Sequence, residues 1–140
     1  MDVRTLIMRH EGLRLTPYRD ISGHLSIGYG RNLADKGISA YEATILLETD
    51  IGQATAAAYE YPWFVALCLP RQCVIVDMIF NLGAAGFDKF VKLRQALAAG
   101  DWAAARNAIL NSAWASQVGR RALEDATIIE LGTWPEEEKP

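Results

Sequence analysis

Cysteine and histidine are scarce in this chain. Cys68 and Cys73 are the only thiols, and His10 and His24 the only imidazoles, among 140 residues. No Cys/His set with metal-ligand spacing can be assembled from them, so no metal site is expected. The two cysteines, close together across Pro70, read as reduced thiols of the core rather than as a disulfide. Long apolar runs are missing too: "WFVALCL" is far too short to span a bilayer, and no basic start followed by an apolar stretch marks a signal peptide. The chain is therefore expected to be made and folded in the cytoplasm, without stable membrane association. Nor is there an excess of positive charge. A net charge of -3 gives no polyanion-binding signal, which sets nucleic acid aside as a main partner. No internal repeat, low-complexity tract or long linker is visible.

What is present suits one globular domain with a real core, since 51% of the residues are hydrophobic and 22% charged. Charge is unevenly spread. Residues 1 to 31 hold five arginines (Arg4, Arg9, Arg14, Arg19, Arg31) against three acids (Asp2, Glu11, Asp20), a local balance of +2, whereas the chain closes on the acidic "PEEEKP". The basic part suits an anionic ligand or, equally, a solvated surface.

The pattern predicts an α+β fold, mostly α. In "DVRTLIMRHEG" Val3, Leu6, Ile7 and His10 share one helical stripe, and Gly12 stands where a C-terminal cap would end the helix. "LRLTPYRD" and "HLSIGYGRNL" alternate in period two around the turn-forming "DISG", which predicts a β-hairpin with a third short strand near Arg31 to Leu33. "SAYE" is a capping box. It opens a long helix over 39–60 with Ala40, Ala43, Leu47, Ile51, Ala54 and Ala58 on one face. "PRQCVIVDMIFNLG" reads as a central buried helix, with Pro70 in its first turn and Gly83 as its stop. Gly100 and Asp101 form a stop and a start, and a last helix through Ala122, Ala126 and Ile129 ends before Gly132. The expected organisation is a small N-terminal lobe over 1–38, an interlobe helix over 39–60, a helical lobe over 61–134 and an acidic tail over 135–140, with a cleft between the lobes.

Two acids in "HEGLRLTPYRDISGHLSIGYGR" carry the chemistry. Glu11 follows Ile7 by four residues and Val3 by eight, which places it on the stripe read as buried, at the negative end of a helix dipole. Both effects favour a protonated carboxyl, as a general acid requires, unless a nearby arginine offsets them. Position alone leaves open an exposed Glu in a frayed last turn. Asp20 precedes "ISG" as a turn aspartate would. Beyond it, Leu25, Ile27 and Tyr29 take one face of a strand, leaving His24, Ser26, Gly28 and Gly30 on the other. The glycines clear that face for a bulky polymer, or only permit bends; Ser26 is placed to hold a water. His24 has no obvious partner and reads as a surface residue. A protonated and an ionised carboxyl make glycoside hydrolysis the first enzymatic reading.

"HEGLRLTPYRD" and "SIGYGRNL" resemble the catalytic signature of phage-type lysozymes, glycoside hydrolase family 24, the T-even phage lysozyme-like enzymes. "DKGISAYEATILLETDI" is similar to the start of the family's interlobe helix, "RQCVIVDMIFNLG" to its central helix, and "SAWASQVGRR" with "LGTW" to its C-terminal part. The resemblance implies a lysozyme-like fold and gives Glu11 the role of general acid. It makes Asp20 the carboxylate that orients water and stabilises positive charge, and Ser26 the hydroxyl that binds the attacking water at a position often threonine. Arg121 falls where the family has an arginine contacting the catalytic glutamate, with Arg120 one position away. Asn81 replaces a glutamine of the T-even phage member, and Trp114 matches a tryptophan that this glutamine contacts. Tyr18 and Phe80 would be wall residues of the cleft, although each also suits a core. Arg31 stands where that member has a histidine paired with an aspartate, which predicts an Arg31–Asp50 ion pair. A segment between strands and long helix is missing relative to that member, so the N-terminal lobe should be smaller.

The expected activity is that of an endolysin, a muramidase hydrolysing the β-1,4 bond between N-acetylmuramic acid and N-acetylglucosamine of peptidoglycan with inversion and without cofactor. Such a protein would be a monomer made in the host cytoplasm and would reach the wall through a holin or as part of a phage particle. A lytic transglycosylase is the nearest alternative, since it needs the acid but no water-directing partner. A catalytically silent glycan-binding module follows, and a helical DNA-binding protein is third.

Overall fold

The chain enters through α1 (Val3–Glu11), whose first turn is fixed by Asp2: its carboxylate accepts the Thr5 N–H at 2.8 Å. Gly12, at φ +69°, ends the helix and donates its N–H to Met8 O. The computed structural model describes residues 1–136, so the acidic tail lies outside the described residues from 137 onward. The chain divides into two compact units, residues 1–47 and residues from 48 onward.

In the first unit β1 (Arg14–Arg19), β2 (Leu25–Gly28) and β3 (Arg31–Asn32) form an antiparallel sheet in the order β1-β2-β3. Tyr18 pairs with Ser26 and Arg19 with Leu25, while Ser26 faces Asn32 on the other side. The ladder is irregular between Arg14 and Tyr18. Pro17 lies in that stretch and has no N–H to donate, which an edge strand tolerates. As the central strand, β2 carries Ser26, 1% exposed and the one buried side chain among residues 1–47.

The expected stripe on α1 is not buried: Val3 is 71% exposed, and Leu6 and Ile7 are open as well. A two-and-a-half-turn helix that stops at Glu11 carries that carboxyl at its end, exposed, instead of in a packed seam. A short helix absent from the sequence reading, α2 (Leu33–Lys36), follows the sheet and is capped by Asn32, which accepts the Asp35 N–H. The capping box opens α3 (Ala40–Tyr59) as read: Ser39 N donates to Glu42 Oε1 at 2.9 Å and Glu42 N to Ser39 Oγ at 3.1 Å. The boundary between units falls inside α3, and of its expected stripe only Ala54 and Ala58 are buried.

The second unit holds the hydrophobic core. After a 3-10 turn at Phe64–Ala66 come α4 (Leu69–Asp88), α5 (Val91–Ala99), α6 (Trp102–Leu110), α7 (Ala113–Val118) and α8 (Arg120–Leu131). Val74, Ile75, Met78, Ile79 and Phe87 of α4 pack with Leu93, Leu97, Ile109, Trp114, Ala126 and Ile129. Gly83 stops the first helical stretch of α4 as expected: at φ +77° it leaves the helical conformation, and a second stretch runs on to Asp88. Gly100 and Asp101 behave as read, one as a left-handed cap of α5, the other as N-cap of α6 accepting from Ala104 N–H. Gly132 ends α8 in the same left-handed conformation. There Arg71 of α4 donates to the last carbonyls of α8, Nε to Ile129 O at 2.8 Å and Nη2 to Glu130 O at 3.0 Å. Its guanidinium also lies 3.7 Å over the Trp102 ring, so one side chain joins three helices.

The cysteines are free, as expected, but exposed rather than in the core. Cys68 precedes α4 with its thiol toward Gly132 O, and Cys73 lies one residue before the buried Val74, a rotation of about 100° that carries it off the packed face.

Candidate active site

Glu11 and Gly30 meet closely within the first unit. A Cβ placed on residue 30 would lie 2.5 Å from Glu11 Oε2 and 2.7 Å from its Cδ, so only a residue without a side chain leaves room for the carboxyl. Gly30 also has φ +73°, in the tight turn between β2 and β3. The clearing of this face by glycine was legible, and Glu11 is the group that uses it. Glu11 stands as an exposed carboxylate at a helix end, not on a buried stripe.

Asp20 sits at the other end of β2, in the turn to β1. Its Oδ1 accepts the His24 N–H at 2.8 Å, and its own N–H donates to His24 O at 2.9 Å. Gly23 N–H closes the turn onto Asp20 O, and Arg19 reaches across it to Gly23 O. Oδ2 faces His24 Nδ1 at 3.6 Å, a weak contact between two solvent-exposed side chains. The histidine read as partnerless thus has one, and Asp20 is held as a turn residue. Ser26, expected to hold a water, is not exposed. It is buried in the central strand, and its hydroxyl donates to His24 O at 3.3 Å. Tyr18, half-buried, has the Arg14 guanidinium 4.5 Å over its ring.

Arg31, expected to pair with Asp50, pairs within its own unit with Glu42. Arg31 donates Nε and Nη2 to Gly37 O and Nη2 to Glu42 Oε1 at 3.0 Å. The backbone carbonyl that caps α2 and the capping-box carboxylate lie near in sequence and take up the guanidinium locally. Hydrogen bonds from Ser39, first its backbone and then its hydroxyl, hold the Glu42 carboxyl below the usual range, and Arg31 adds to this.

In the second unit Trp114 Nε1 donates to Asn81 Oδ1 at 2.8 Å, the contact expected from the resemblance. Trp114 is itself buried, edge-on to Phe90, whereas Asn81 is exposed. Phe80 is 42% exposed rather than a core residue and lines a depression of about 430 Å³ with Asp50, Gln53 and Gly83. A concavity of about 790 Å³ along α5 and α6 contains none of the expected residues.

Arg121 is held by Asp77 of α4: Nε lies 2.9 Å from Oδ2 and Nη2 2.6 Å from Oδ1, a bidentate pair. Beside them is Asp125, 7% exposed, whose Oδ2 has no hydrogen-bond partner. Burial, then the hydrogen bond and the charge of Asp77, push the Asp125 carboxyl up to about 8. Burial opposes ionisation of Asp77 as well, but hydrogen bonds from Arg121 and Asp125 outweigh it and keep that carboxyl below the usual range. Neither aspartate was singled out from the sequence. The one available signal was an acid inside each of two apolar helix faces, at Asp77 in "VIVDMIF" and at Asp125 among Ala122, Ala126 and Ile129.

Comparison with known proteins places these residues in a family context. The family described as "Phage lysozyme" matches residues 8–126. The "Endolysin" of Acyrthosiphon pisum secondary endosymbiont phage 1 is 32% identical over 120 residues, covering 83% of this chain and 80% of that protein. The "SAR-endolysin" of Escherichia phage Mu is 28% identical over 134 residues, 94% of this chain and 77% of that protein. The "Pre-baseplate central spike protein Gp5" of Enterobacteria phage T4 is 29% identical over 161 residues, 94% of this chain but 28% of the relative's length.

Proposed function

Because the chain belongs to the phage lysozyme family, a family of peptidoglycan-degrading glycoside hydrolases, we propose that it cleaves the β-1,4 bond between N-acetylmuramic acid and N-acetylglucosamine with Glu11 as general acid. The observation that carries this is the Glu11 carboxyl held against the side-chain-free backbone of Gly30, in the same unit whose hairpin turn fixes Asp20. Glu11 protonates the glycosidic oxygen. Asp20, its Oδ1 held by a backbone amide, turns its remaining lone pairs to an attacking water and its charge to the oxocarbenium-like transition state. Inversion requires the two carboxyls to stand roughly 6.5–9.5 Å apart, leaving room for that water, and yields an α-anomeric product from a β-linked glycan.

Tyr18, Phe80 and Asn81 are the proposed glycan contacts, with Trp114 acting through Asn81, which it orients. Arg121, held on Asp77, is the cation proposed for substrate binding. The chain is proposed to work as a monomer on bacterial peptidoglycan, made in the host cytoplasm and reaching the wall through a holin or as part of a phage particle.

Ser26 favours a second reading. Its hydroxyl is buried and its proton goes to His24 O, so toward a water it can act only as an acceptor. A lytic transglycosylase, in which the sugar's own 6-hydroxyl is the nucleophile, has no need of a water-binding serine. Mass spectrometry of muropeptides released from purified peptidoglycan separates the two: reducing N-acetylmuramic acid ends support hydrolysis, and exclusively anhydro ends overturn it.

A further inference from the structure

Asp125 is a polar side chain in a place where an ionised one is hard to keep. It is 93% buried on α8, and Oδ2 has neither a protein donor nor an acceptor. It shares a cavity of about 360 Å³ with Asp77 and Arg121, Cys73 of α4, Glu124 of its own helix, and Trp134. Asp77 and Asp125 line that cavity together. Two carboxylates so placed repel each other and can share a hydrogen bond only if one of them carries a proton. Asp77 has both oxygens on the Arg121 guanidinium, so it is the anion. Asp125, buried and with an oxygen that no protein group donates to, is the acid.

We propose that Asp125 is a positioning residue: as a neutral carboxylic acid it donates its proton to Asp77 and so fixes the carboxylate on which Arg121 is held. Arg121 lies four residues before Asp125 on α8, one turn away, and can therefore serve either carboxylate. While Asp125 is protonated, Arg121 faces a single anion and stays bidentate on Asp77. When the proton leaves, two anions compete for it and the guanidinium is drawn toward Asp125. The charged and titratable groups around Asp125 are few. From α4 come Asp77 and Cys73, and from α8 Arg121 and Glu124. The α6 cation Arg106 is taken by Glu130 at 2.9 Å, and α7 ("AWASQV") carries no charge. In so far as Arg121 serves cleavage, the proposal rests on the muramidase reading; the sharing of the proton does not.

Two measurements on the full chain test it. Carbon-13 NMR of the aspartate carboxyls is expected to show Asp125 titrating at about 8, with the Arg121 Nε–Hε resonance moving at the same midpoint. Titration of Asp125 in the ordinary carboxylate range, or an Arg121 signal that ignores it, overturns the proposal. This arm needs no variant and no activity. In the second, muropeptide release is followed against pH: the parent should show an inflection at the Asp125 midpoint that Asp125→Asn lacks, and superposable profiles would overturn the positioning role. If no form of the protein cleaves peptidoglycan, the muramidase reading fails, and the NMR titration alone decides proton sharing.

Discussion

The carboxyl of Glu11 lies against the backbone of Gly30, where even a methyl group would come within 2.5 Å of Oε2. The pair lie nineteen positions apart in sequence, yet the glycine at the β2–β3 turn decides where the carboxyl at the end of α1 can rest.

Substituting Gly30→Ala therefore acts on function more than on folding. The turn loses roughly 1–2 kcal/mol because φ at +73° disfavours a side chain, and the new methyl moves the Glu11 carboxyl, the movable end of a flexible side chain. Displacement of an acid by about 1 Å costs on the order of a hundredfold in rate. Urea unfolding and a turbidity assay on the same preparation check this: a rate loss no greater than the stability loss explains would contradict it.

Asp20 carries two roles that substitution can separate. Asparagine keeps the oxygen that accepts the His24 N–H but removes the charge, whereas alanine removes both. Asp20→Asn should retain parental stability and lose activity by about 10²–10⁴-fold. Asp20→Ala should lose the same activity and about 1 kcal/mol besides. Parental cleavage by the asparagine variant would show that Asp20 is a turn residue only.

Arg71 has no part in the proposed chemistry, and its effect should appear purely in stability. Arg71→Ala removes two hydrogen bonds to the end of α8 and the stacking over Trp102, a loss of roughly 2–3 kcal/mol. Thermal and chemical unfolding measure it, and turnover per folded molecule should be unchanged.

How far such relationships can be read from sequence depends on their range. Caps are local: Gly12, the Ser39–Glu42 box, Gly100 with Asp101, and Gly132 each act within a few residues and were read correctly. Burial is not local. The stripe of α1 and the first half of the α3 stripe look like core faces by period, yet both lie open, because periodicity says which residues share a face and not whether anything covers it. Ser26 shows the converse, a polar residue that is buried in the central strand. Arg31 was matched to an acid two helical turns too far along, when Glu42 lay nearer. Asp77 and Arg121, 44 positions apart, join only through the packing of α4 on α8, for which no short motif exists. Glu11 and Asp20 were legible through their motif, while the glycine that seats Glu11 was legible only as a clearing.

Stability should depend on pH through Asp125. Its folded-state value, about 8, lies above the 3.8 of an ordinary aspartate, so the native state holds a proton that the unfolded chain releases. That contribution is fully present below pH of about 4 and is lost as pH rises to about 8, on the order of several kcal/mol in all. Asp77, shifted downward, works in the opposite sense and loses its contribution as pH falls. Denaturant unfolding between pH 4 and 9 should show the alkaline decline in the parent and not in Asp125→Asn; equal slopes would contradict it.

The most direct test is the rate at which muropeptides are released from purified peptidoglycan by the parent and by Glu11→Gln, each shown to be folded. Glu11 is exposed and its amide keeps the shape, so folding should survive while release falls by at least about 10²-fold. Release by Glu11→Gln at the parental rate would mean that another group donates the proton.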